Sequence, residues 1–196
     1  MPVSNFVNSS IKSGVKRNRI WDQVTVLPDD FESIATHYVS SGTVASVTFS
    51  SIPQTYKHLQ IRTFSRTSSN KNIRAYFNGD TSNTTAAFHI LYGTGSSVAA
   101  EGYASGSNTA MLLAYEASGT ATSSFGTSVI DILDYTNTNK YTTVKVLSGN
   151  DANGSGQVAI GSRLWINTNA ITSIELLPPS DNFQQYSHFA LYGIKG

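Results

Sequence analysis

From residue 31 onward, apolar and polar positions alternate. Val47 and Phe49 are separated by a polar residue, and Leu59 and Ile61 lie between His58, Gln60 and Arg62. The same two-residue period runs through Ile73, Ala75 and Phe77, through Val144 and Val146, and through Ile174 and Leu176. A period of two places alternate side chains on opposite faces of a strand, so one face is buried and the other meets solvent. Further strands are predicted over 86–92, 109–116, 127–133, 157–166 and 185–194. Turn-forming clusters separate them: Asn78-Gly79-Asp80, Gly93-Thr94-Gly95, Gly102 to Asn108, Thr136 to Asn139, Asn150 to Gly156 and Pro178 to Asn182. No amphipathic helical pattern interrupts the series. Roughly ten short strands predict an all-β chain: an antiparallel two-sheet β-sandwich, jelly-roll-like, over residues 31–196.

Residues 1–30 read differently. Lys12, Lys16, Arg17 and Arg19 fall close together, and Trp21, Val24, Val26 and Leu27 follow before Pro28-Asp29-Asp30. Gly14 and the Ser/Asn content disfavour a helix here. The pattern predicts an extended N-terminal arm that ends at the proline. A free tail is the plain alternative, but Phe6, Ile20 and Trp21 are residues that free tails seldom carry unless a surface buries them.

The length of 196 residues fits one such domain plus the arm. With no cysteine there is neither a disulfide framework nor a thiolate metal site. The formal charge of +1 supplies no field for nucleic acid or anionic lipid, and no nucleic-acid or membrane partner is expected. Charged residues are only 13% of the chain, and Ser, Thr and Asn fill about a third of it. A surface with so few ions packs against neighbours at small desolvation cost. The first residues lack the apolar stretch of an export signal, and no run of about 18 apolar residues exists to span a membrane. Synthesis in the cytoplasm is the expectation.

Candidate chemistry is sparse. The nucleophile elbow, the phosphate-binding loop and the dinucleotide fingerprint have no counterpart. His37, His58, His89 and His188 have no second ligand at metal spacing and read as strand-face residues. Asp131 and Asp134 are an odd number of positions apart, which puts them on opposite faces of a strand and prevents them from converging as a glycosidase pair. Asp151-Ala152-Asn153-Gly154-Ser155-Gly156 opens like a calcium loop, but Ser162 stands where the bidentate Glu belongs, so a Gly-rich hairpin is expected instead. Sequons begin at Asn8, Asn83 and Asn153 without an export signal to support their use. His89 to Gly93 echoes His188 to Gly193 with one inserted residue, and this reads as two similar strand ends. No catalytic residue, metal or cofactor is assigned, and the chain is not expected to be an enzyme. The partner-binding residues are those of the arm: Phe6, Lys12, Lys16, Arg17, Arg19, Ile20, Trp21, Val24 and Leu27.

Four stretches carry a resemblance: FESIATHYVSSGTVASVTFSSIPQTYKHLQIR (31–62), VIDILDYTNTNKYTTVKVLSG (129–149), LWINTNAITSIELLP (164–178) and the closing QYSHFALYGIKG (185–196). Together they resemble the β-domain of a group of tailed-bacteriophage virion proteins, many from aquatic and cyanobacterial phages. The resemblance implies a particle component and carries no catalytic residues. The short chain and its arm point to a capsid cement or decoration protein, a homotrimer, with the major capsid protein as partner and the capsid surface as location. The rival expectation is a tail-fibre or baseplate module whose loops 93–108 and 149–156 bind a host glycan.

Overall fold

The structure is a computed structural model that describes residues 30–69, 72–107, 112–115, 117–118 and 123–196. The arm residues assigned to partner binding lie outside these. The described residues form fifteen strands and one 3-10 turn at Asn83–Thr85. The strands are β1 (Phe31–Tyr38), β2 (Thr43–Val44), β3 (Val47–Phe49), β4 (His58–Thr67), β5 (Asn72–Phe77), β6 (Ala86–Gly93), β7 (Val98–Tyr103) and β8 (Leu112–Tyr115). They continue as β9 (Ala117–Ser118), β10 (Gly126–Leu133), β11 (Thr142–Asp151), β12 (Gly156–Trp165), β13 (Ile174–Leu177), β14 (Phe183–Gln184) and β15 (His188–Ile194).

Four antiparallel pairings define the topology: β1 with β15, β3 with β13, β4 with β10 and β5 with β8. In this set of eight strands the first pairs with the last, the second with the seventh, the third with the sixth and the fourth with the fifth. That is one long hairpin. It is rolled up by two further pairings, β15 with β4 and β13 with β5. The result is a jelly-roll sandwich with sheets β1-β15-β4-β10 and β3-β13-β5-β8. The first sheet does not stop at β10. It continues through β11, β12, β6 and β7, so an eight-strand path faces a four-strand one.

The burial alternation follows the sequence pattern. On β10, Gly126, Ser128, Ile130 and Ile132 point inward, and on β11 Thr142, Val144, Val146 and Ser148 do so. Of these, Ile130, Ile132, Val144 and Val146 meet Leu59, Ile61, Ile73, Phe77, Ile174, Leu176, Phe189 and Leu191 in one core. Each such side chain contributes roughly 1.5–3 kcal/mol by leaving water. The hydroxyls of Thr63, Ser65, Ser128 and Ser148 are also buried on these inward faces.

Two elements depart from the expectation. Residues 98–103 form β7, paired throughout with β6, where a loop spanning 93–108 was expected. Val98-Ala99-Ala100-Glu101-Gly102-Tyr103 has no strong β-former at its centre, so local propensity hides a strand fixed by its partner. At the other end β15 begins at His188 rather than at 185, because Tyr186 sits at φ 73 and turns the chain there. The echoed Leu-Tyr-Gly ends are not a duplication. Tyr92 lies on the inner face of β6 and Tyr192 on the outer face of β15, as an inserted residue requires at a period of two.

Gly193, in the closing FALYGIKG, has a packing cause. A Cβ there would lie 2.4 Å from the ring of Tyr56. That ring covers the strand end and donates its hydroxyl to Glu32 at 2.7 Å. Gly193→Ala is expected to cost about 1–3 kcal/mol in chemical denaturation, the usual penalty of forcing atoms into a filled space.

Candidate interaction surface

The register of the large sheet places its outward side chains in cross-strand rows. One row runs Thr36, Ala190, Arg62, Val129, Leu147, Ile160, Leu91 and Ala100. The next runs Tyr38, His188, Phe64, Thr127, Gly149, Val158, Gly93 and Val98. Residues directly opposite one another share a face at contact distance, so each row is a continuous strip of surface.

The face divides into two halves. On β1, β15 and β4 it is aromatic and cationic. Phe31 stacks on Tyr192 with ring centroids 4.7 Å apart, and the Arg62 guanidinium lies 5.3 Å from the first ring and 5.4 Å from the second. Arg62 donates to Gln60 at 2.9 Å, and Gln60 donates to Asp131 at 2.8 Å. Phe64 stacks on Phe125 at 4.8 Å, with Arg66 at 5.8 Å from the second ring.

On β11, β12, β6 and β7 the face carries an aliphatic patch. Leu91 is 50% exposed, Ile160 53%, Leu147 54%, Val158 63% and Val98 76%. These are neighbours in the rows above, so they form one patch rather than scattered singles. An open trough of about 800 Å³ runs over Leu91, Ala100, Gly102 and Ile160, with His89, Lys145 and Ser162 along one side. A contiguous exposed apolar patch in a hollow marks a place where another surface sits.

At the sheet end, the turns 93–95 and 150–156 line a smaller cleft of about 320 Å³. Asn153 and Gly154, at φ 54 and 99, make the two-residue turn of the β11–β12 hairpin. The Asp151 carboxylate accepts from the Asn153 amide at 2.8 Å and so fixes this turn. The calcium-like stretch is therefore a hairpin loop. Among the described residues no cluster of three or more His, Cys, Asp or Glu side chains gathers to hold a metal ion.

The remaining candidates separate. Asp131 lies on the outer face. Asp134 sits at φ 50 in the following turn, where its carbonyl accepts from Asn137 at 2.9 Å. Its carboxylate holds Lys140 and, at 3.1 Å, Lys57. Those two ammonium groups, Lys140 first, keep the Asp134 carboxyl below the usual range despite its desolvation. His58 accepts from the Asp134 amide at 2.9 Å, a structural role. Glu101 faces the inner side, between the hydroxyls of Tyr103 and Tyr92, and these hold its carboxyl below the ordinary value.

No protein-family model matches the chain, and no curated protein or solved structure matches it.

The geometry of this face brings forward residues the sequence reading passed over: Leu91, Val98, Leu147, Val158 and Ile160. A signal for them was present. Ile90-Leu91-Tyr92 and Val158-Ala159-Ile160 are unbroken apolar triplets, and an unbroken run places apolar groups on both faces of a strand.

Proposed function

We propose that this protein is a structural component of an assembled particle, and that it works by binding rather than by catalysis. The observation that carries this is the trough on β11, β12, β6 and β7, an open hollow whose floor holds the exposed aliphatic groups of Leu91, Ala100 and Ile160 beside His89, Lys145 and Ser162. The resemblance of residues 31–196 to tailed-phage virion domains narrows the reading to a capsid cement or decoration protein. Its basic arm fits an anchor on the major capsid protein, and three copies fit a cap on a local threefold of the shell. A protein that binds only the assembled lattice stabilises it by mass action.

The test is to locate the chain in intact particles by cryo-EM and to compare shell disassembly temperatures with and without it. Density on the head and a higher disassembly temperature are expected. Density confined to the tail, or an unchanged temperature, overturns the cement reading.

The cleft between turns 93–95 and 150–156 favours a second reading, a glycan-binding tail module. It joins the two loop regions whose Asn, Ser and Gly content suits hydroxyl recognition. Binding on a glycan array that is lost on Asp151→Ala supports that alternative, and a blank array removes it.

A further inference from the structure

We infer that the trough on β11, β12, β6 and β7 is the seat for residues 20–27 of a second copy of this chain. The first argument is supply. Outside the described domain the chain's apolar residues concentrate in Ile20-Trp21-Asp22-Gln23-Val24-Thr25-Val26-Leu27. Inside it, the exposed large aliphatic side chains, Leu91, Val98, Leu147, Val158 and Ile160, all lie in the trough or beside it.

The second argument is shape. Two copies laid face to face over this open hollow leave it unfilled, whereas a single extended segment fills it. A volume of about 800 Å³ is in the range that holds a handful of bulky side chains. The third is charge. Asp22 is the lone ion of the segment, and Lys145 stands on the trough's side, while the carboxylate of Glu101 is taken up by the hydroxyls of Tyr92 and Tyr103.

The fourth argument decides which copy. The arm leaves the domain at Asp30, whose carbonyl is bonded to the Lys195 amide beside β1, at the sheet edge opposite β7. With strands roughly 4.8 Å apart, β12 and β6 lie about 24–29 Å from β1. An extended chain advances at most about 3.5 Å per residue, so Leu27 reaches roughly 10 Å from Asp30 and Val24 roughly 20 Å. The segment cannot enter its own trough as a unit. It can enter the trough of a neighbour whose β7 side lies against this copy's β1 edge. Such a head-to-tail contact is heterologous, and it closes into a ring when the rotation allows. Lys12, Lys16, Arg17 and Arg19 then lie beyond the seated segment, free to reach a third surface. The inference goes beyond the cement reading, because it concerns copies of this chain alone.

The test uses the full chain with no particle present. Mass is measured by light scattering across a wide concentration range for wild type, Ile160→Lys, Leu91→Lys and the double variant Trp21→Ser/Leu27→Ser. Acrylamide quenching reports Trp21, since Trp165 is buried and shielded. Wild type is expected to associate with both tryptophans shielded. Each variant should raise the half-dissociation concentration by ~30-fold or more, the scale of a lost interface anchor. Ile160→Lys should also expose Trp21 to quencher. Ile160 and Leu91 are half-exposed, so unchanged thermal melts of the two lysine variants serve as the folding control. A wild-type monomer overturns the inference whatever the state of Trp21. Dissociation by the lysine variants but not by the arm variant shows face-to-face pairing instead, and the reverse shows the arm seated elsewhere. Failure here leaves particle binding untouched, and failure to bind particles leaves this result standing.

Discussion

Replacing Trp165 by alanine is expected to lower the unfolding free energy by about 4–5 kcal/mol, the largest effect of any single side chain described. Trp165 is 1% exposed at the end of β12. Its ring meets the edge of Phe77 with centroids 5.6 Å apart and planes at 74°, and Phe77 belongs to β5 on the opposite sheet. The indole therefore joins the two layers where the long sheet begins to outrun the short one. Truncation removes the transfer free energy of the ring and leaves a cavity, at about 3–5 kcal/mol for aromatic-to-alanine changes. It also removes one of the two donors to the Asp80 oxygen that accepts the indole N–H at 2.9 Å, leaving only the Thr85 hydroxyl there. Trp165→Phe keeps a ring against Phe77 and loses that bond and part of the indole's volume, so a smaller cost of about 2–3 kcal/mol is expected. Urea titrations followed by far-UV circular dichroism separate the two. An alanine variant within about 1 kcal/mol of wild type sinks this account of how the sheets are joined, because it lies well below the cavity cost.

Local pattern carried the strands but not their partners. β11 alternates cleanly in Thr143-Val144-Lys145-Val146 and emerges with Val144 and Val146 inward, and β10 appears where a strand was expected, with Ile130 and Ile132 inward and Val129 outward. The jelly-roll expectation holds as well, although no local signal says that β1 must pair with β15 across the whole chain. Period two is identical for every partner, and the choice is made by burial summed over the finished sandwich. The extension through β12, β6 and β7 was illegible for the same reason. β7 is a weak strand former, held by its ladder to Phe88, His89, Ile90, Leu91, Tyr92 and Gly93.

The candidate surface was half legible. Apolar triplets on β6 and β12 announce two-sided strands, but which side stays open depends on where the four-strand sheet ends. β8 is the edge of that sheet, and among the described residues the long sheet beyond it carries on its inner side the small cluster of Phe88, Ile90 and Ala159, with Tyr92 and Tyr103 packed on it. Asn78-Gly79-Asp80 was read correctly as a turn, with Asn78 and Gly79 at φ 54 and 71. The turn motif conceals what Asp80 does, because its partners Trp165 and Arg163 are distant in sequence.

Asp80→Ala is expected to cost about 3–4 kcal/mol at neutral pH, second only to Trp165→Ala. The carboxylate accepts from the Trp165 indole at 2.9 Å, the Thr85 hydroxyl at 2.7 Å and the Ser82 amide at 3.0 Å. Behind it lies Arg163, 2% exposed, with its guanidinium 5.0 Å from the centre of the Phe77 ring and donating to the Ala75 carbonyl at 2.8 Å. Burial brings the Arg163 pKa down to about 10, a fall that the charge of Asp80 limits. Burial alone would push the Asp80 carboxyl up. The indole N–H, the Thr85 hydroxyl, the Ser82 amide and the charge of Arg163 more than reverse this and hold it below the usual range. A carboxyl depressed in the folded state contributes stability that is fully present above its unfolded pKa of about 3.9 and is lost as pH falls through the folded value. Wild type should therefore weaken in acid. Glu32, held low by Lys195 and Tyr56, and Asp134 contribute in the same direction. Asp80→Asn has no proton to gain at this position, so its stability should fall less steeply. The gap between wild type and Asp80→Asn, measured by denaturant titration at neutral pH and again well below pH ~4, is expected to narrow in acid. A gap that stays constant or widens would show that Asp80 is not the charged acceptor on which Trp165 and Arg163 depend.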